Sequence, residues 1–195
     1  METPIKKRQS GGKAKIAAND GLQKLFTDQL KDILWSERAL SKIISKMAKN
    51  IGSPNLIFIF RDQASLNEIQ IERLRKIFES IGIKARGKKC EAMEGFISEC
   101  ENILETTTQG PVRDAGIIAA FQKILHYKMP AYTTLAAYSR TLHKEPVDEM
   151  LELTLAEDSK TDALLSDAAY STINFDAAID ENKVLASHYN NRINL

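Results

Sequence analysis

Seven polar side chains fall where amphipathic helices would place their core: Glu37; Gln63, Asn67 and Gln70; Lys128; and Asp158 with Asp162. Carboxylates brought together inside a protein are costly unless a cation neutralises them. Two kinds of cation can do so, a bound divalent ion or a fixed ammonium. His126 and Glu157, beside these positions, add a histidine and a further carboxylate of the types that iron and manganese sites use. Lys128 supplies the fixed charge. Which cation the chain uses depends on the elements that carry these residues.

Those elements read as long helices. The first, from about Gly21 to Asn50, opens after Asp20 as cap and carries the seam Leu22, Phe26, Leu30, Ile33, Glu37, Leu40, Ile44 and Met47. Ser53-Pro54 starts a second, ending near Ile81 before Gly82, with Leu56, Phe60, Gln63, Asn67, Gln70 or Ile71, Leu74, Phe78 and Ile81 inward. A basic stretch, 82–89, and a short helix from Cys90 to about Leu104 form a connection longer than a helix hairpin needs. The third long helix runs from about Ala115 to Leu142, with Phe121, Leu125, Lys128, Tyr132, Leu135, Ser139 and Leu142 recurring in steps of three and four. Pro130 inside it predicts a kink near Lys128. The fourth, from about Pro146 to Ile173, follows Val147, Leu151, Thr154, Asp158, Thr161 or Asp162, Leu165, Ala168 or Ala169 and Thr172. Each seam is apolar at its ends and polar in its middle.

Four long helices with a crossover between the second and third, and no strand-period alternation, predict an all-α, ferritin-like four-helix bundle over residues 21–175. Residues 1–20 hold Lys6, Lys7, Arg8, Lys13 and Lys15 without an apolar run, which reads as a flexible basic tail and not a secretory signal. Residues 176–195 read as a partly helical or frayed extension. The chain has 195 residues, 43% hydrophobic and 27% charged, with a net charge of +1, so no overall field draws it to nucleic acid. No apolar run approaches the ~20 residues that span a bilayer. Cys90 and Cys100 share one short helix roughly 15 Å apart, beyond disulfide reach. They read as free thiols, which places the chain in a reducing cytoplasm.

Against a metal, the second helix offers no seam carboxylate and no histidine, since Asp62 and Glu68 lie off the seam. The third places Lys128 among the would-be ligands, where an ammonium repels a divalent ion and supplies its charge instead. The expectation is that Lys128 pairs with Glu37 or Asp158. Blander readings stand beside it: Glu37 turned outward by a small register shift, Asp158 and Asp162 on a solvated face with Glu157, His126 simply hydrogen-bonded, and Tyr127, Tyr132 and Tyr138 as core or interface aromatics.

The segments Trp35-Ser36-Glu37-Arg38-Ala39-Leu40, Gly87-Lys88-Lys89-Cys90-Glu91-Ala92-Met93, Val112-Arg113-Asp114-Ala115, His126-Tyr127 with Ala131-Tyr132, and Glu157 through Asp162 resemble the YciF/YciE-type ferritin-like family. The resemblance covers about Leu22 to Ser171. It implies a bacterial stress-associated bundle, commonly dimeric and cytoplasmic. Glu37, His126 and Glu157 match its ligand-type positions. A helix-two stretch like Glu-Glu-His-Leu-Glu-Glu-Thr reads Arg61 to Asn67 here, and Glu-His-Tyr-Glu reads Leu125-His126-Tyr127-Lys128. The residual metal candidates are therefore Glu37, His126, Glu157, Asp158 and Asp162, with Lys128 replacing a ligand.

The expected function is a non-catalytic or vestigially metal-binding stress-response bundle, a homodimer with no cofactor. One alternative is a di-iron or di-manganese oxidase or peroxidase-like protein. A second is a DNA-associated protein using its basic tail and the Lys84–Lys89 loop.

Overall fold

The computed structural model describes residues 21–180, so expectations for residues 1–20, including the Asp20 cap, and for 181–195 lie outside it. Five helices follow in order: α1 (Leu22–Ala48), α2 (Pro54–Ser80), α3 (Glu91–Thr106), α4 (Pro111–Thr141) and α5 (Val147–Ala168). No strand occurs among the described residues. α1 packs on α2 and α4, and α5 completes the ring by packing on α2 and α4, while α3 lies across α1 and α4. Gln63 with Thr161, Gln70 with Asp158 and Arg73 with Thr154 pair rising numbers of α2 with falling ones of α5, and Gln122 with Ser166, Lys128 with Asp158 and Arg140 with Glu152 do the same for α4, so α5 runs antiparallel to both.

The helix ends follow local chemistry. Ser53 caps α2, with Pro54 in the first turn, and Gly82 turns the chain away at φ 70°. α4 begins a turn earlier than its sequence suggests, because Pro111 fits a first-turn position where no N–H is needed. α4 continues through Pro130, which is solvent-exposed, and Lys128 stays on the inner face. Asp114 binds the α1–α2 turn from that first turn of α4, accepting from Gly52 N at 2.9 Å and Ser53 N at 2.7 Å.

Beyond α5, a π-helical segment, Ala169–Ile173, leads into further helix at 174–180. Its extra residue per turn shifts the inward face. Thr172, expected on the seam, is exposed, and Ile173 is buried in its place.

The core is two cores. One gathers Leu40, Ile44, Phe60, Phe121 and Leu165 near the α1–α2 turn. The other gathers Phe26, Leu30, Phe78, Leu135 and Leu151 at the opposite end. Between them lies a polar layer.

Candidate functional site: a buried charge layer

Every long helix contributes to that layer through the polar middle of its seam. Glu37 comes from α1, Gln63, Asn67 and Gln70 from α2, Lys128 from α4, and Asp158 and Thr161 from α5, all buried. Helical spacing explains the placement, since residues three and four apart share one face. Burial of Lys128, Glu37 and Asp158 is complete, at 0% exposure.

Lys128 Nζ lies 3.0 Å from Glu37 Oε1, 3.0 Å from Asp158 Oδ1 and 3.1 Å from Gln70 Oε1. The expected pairing with one carboxylate is thus a pairing with both. An ammonium has three donors, and three acceptors meet it here. Glu37 is held from other sides too: the Tyr132 hydroxyl donates to Oε1 at 2.6 Å and Asn67 Nδ2 to Oε2 at 2.7 Å. Gln70 bridges, its amide donating to Asp158 Oδ1 at 3.1 Å and Glu157 Oε2 at 3.2 Å. Thr161 donates to Gln63 Oε1 at 2.9 Å.

Burial alone would drive Lys128 toward neutrality, but Asp158 and Glu37 together outweigh it and raise its pKa, so Lys128 is an ammonium. Glu37 faces one cation and one like charge, and burial carries its pKa upward against the pull of Lys128. Desolvation, reinforced by the Glu37 and Asp158 charges, raises the Tyr132 phenol well above its usual range.

The five residual metal candidates separate into three places. Glu37 and Asp158 face the layer and are bound to Lys128. Glu157 is drawn to the edge by Arg73, whose guanidinium binds both its oxygens at 2.7 Å and also donates to Thr154. His126 is 64% exposed on the outer surface and hydrogen-bonds Asp162 at 3.2 Å. Asp162 also accepts from Gln122 at 3.0 Å. Among the described residues, no three His, Cys, Asp or Glu side chains cluster as a metal would require. The inward donor set does not fit a divalent ion, because an ammonium already bridges its two carboxylates.

Sequence reading missed two participants. Tyr132, expected among core or interface aromatics, stands four residues after Lys128 on the same seam, which is the available signal. Arg73 lies three residues after Gln70, just off the seam, and nothing in the local pattern marked it.

The fold and its midsection define a helical bundle with a crossover helix, in which a polar layer divides an otherwise apolar interior. The chain belongs to the family described as a domain of unknown function, DUF892, which matches residues 21–178. It is similar to protein YciF of Escherichia coli K12, with 34% identity over 154 residues, covering 78% of this chain and 93% of YciF. The crystal structure of the E. coli stress protein YciF matches with a TM-score of 0.76 at 33% identity, covering 80% of this chain and 98% of that one. YcfI of Rhodopseudomonas palustris, assigned provisionally to a structural role, matches with a TM-score of 0.73 at 28% identity, covering 77% and 96%. No described helix is long and apolar enough to cross a membrane.

Proposed function

We propose that this protein is a non-catalytic, ferritin-like bundle of the stress-associated YciF type, in which Lys128 takes the electrostatic place of a metal. One observation carries the reading: the Lys128 ammonium within 3.1 Å of Glu37, Asp158 and Gln70, all four side chains fully buried. A fixed charge that pairs with one oxygen of each inward carboxylate, leaving Asp158 Oδ2 without a partner, offers no ligand set to activate dioxygen or peroxide. A vestigial metal contact is confined to the outer His126–Asp162 pair, which offers only two side chains. The stress association rests on the likeness to YciF.

The working form we propose is a cytoplasmic homodimer. Two buried free cysteines, Cys90 and Cys100, suit a reducing compartment. Phe58, Tyr170 and Phe175, each more than 60% exposed, suit an interface between copies. Contact of the basic tail with DNA concerns residues outside those described, and a gel shift with and without residues 1–20 at two salt concentrations tests it.

The deciding experiment is anaerobic reconstitution with Fe(II) or Mn(II), desalting and elemental analysis. The expected result is well below one metal per chain. One or more equivalents retained would overturn the proposal. Light scattering on the eluate reads the dimer.

A further inference from the structure

We infer that the groove between α1 and α3 is a binding site for a small organic anion with an apolar body. The groove is open to the surface and offers about 510 Å³, within the range of sites that hold small molecules. Its floor is apolar, from Ala39 and Ile43 of α1 and Ile97 of α3.

Trp35, Arg38 and Lys42 also line it, at i, i+3 and i+7 on one face of α1. Among the described residues, neither Arg38 nor Lys42 has an ion-pair partner, and the Trp35 indole N–H has no acceptor. Acids on the opposite rim are already engaged: Glu94 pairs with Lys89, and Glu101 pairs with Lys46 at 2.9 Å. What remains open is a set of donors, two of them cationic, above an apolar floor. An anionic head answers the guanidinium and ammonium, and a ring or short chain covers Ala39, Ile43 and Ile97.

The second groove, of about 330 Å³ between α2 and α5, has the opposite balance. Asp62, Glu157 and Asp167 line it with Lys160. It disfavours an anion and serves as an internal control.

The test uses 8-anilinonaphthalene-1-sulfonate, an aromatic anion, and its uncharged analogue N-phenyl-1-naphthylamine, titrated at low salt into the full chain. Saturable binding of the anion at one site is expected, at least tenfold tighter than the neutral analogue. Arg38→Gln/Lys42→Gln should weaken the anion at least tenfold and leave the neutral analogue unchanged. Lys76→Gln/Lys160→Gln, which removes equal charge elsewhere, should bind as the parent does. Ala39→Phe, which fills the floor, should weaken both probes, with circular dichroism confirming helicity in every variant. Displacement of the anion by decanoate and by decyl phosphate separates carboxylate from phosphate heads, and either supports the site. Absence of saturable binding, equal binding by the Arg38/Lys42 variant, or displacement by inorganic phosphate as effective as by decyl phosphate would overturn it.

Discussion

Tyr132 holds its hydroxyl 2.6 Å from Glu37 Oε1, an oxygen that also receives Lys128 at 3.0 Å. The phenol donates to a charged acceptor, and both side chains are fully buried. Tyr132→Phe should therefore cost about 1.5–3 kcal/mol, the range for hydrogen bonds to charged groups. Urea unfolding checks it, and a cycle with Glu37→Gln should show coupling. A variant within 0.5 kcal/mol of the parent would place the hydroxyl outside the network.

Lys128→Met removes the cation and strands two carboxylates. The expected loss is about 3–5 kcal/mol, because breaking a buried pair leaves an uncompensated charge. Adding Glu37→Gln and Asp158→Asn to Lys128→Met should recover most of that loss. If the triple variant is no more stable than Lys128→Met, burial of charge is not what the lysine answers.

Asp114→Ala should loosen the α1–α2 turn, since its carboxylate accepts from Gly52 N and Ser53 N. A loss of about 1–3 kcal/mol is expected for leaving such donors unmade. Hydrogen exchange should quicken at residues 52 and 53 ahead of the helix interiors.

Gly87 sits where an added Cβ would meet Trp35 Cβ at 3.0 Å and Cα at 3.1 Å. Gly87→Ala should push the crossover off α1 and weaken the bond from Lys88 N to Lys31 O. A cost of about 1–3 kcal/mol is expected, as for overpacking elsewhere. Trp35 fluorescence should shift in the folded variant and not in Gly95→Ala, where a Cβ meets nothing within 4 Å.

Burial pushes the Cys100 thiol up from 9.0 to about 12. A raised folded-state pKa means stability is whole below about pH 9 and declines as pH rises toward 12. Lys128 and Tyr132, also raised, act in the same direction. Cys100→Ala should therefore flatten the alkaline decline between roughly pH 9 and 11 without abolishing it. Equal slopes for parent and variant would count against a buried thiol.

Sequence periodicity carried the bundle, its crossover and the depth of the charge layer, because burial and helical spacing leave the same mark on every seam. Glu37, Lys128 and Asp158 were legible for that reason. For His126 and Asp162 spacing leaves a metal contact and a simple surface hydrogen bond both open, since a residue one position off the seam can turn outward or inward, and the structure pairs the two on the outside. Thr172 failed for a different cause. The π segment at Ala169–Ile173 inserts a residue into the helical phase, and nothing in a four-and-three rhythm announces that insertion.

Placing Lys128 at the centre of the bundle makes occupancy of that position independent of supply. A dissociable ion fills its site according to its concentration and leaves when a stronger ligand or an oxidant removes it. A tethered ammonium obeys no such mass action. The two halves of the interior are joined by a charge that starvation, chelation or oxidation of free metal does not withdraw.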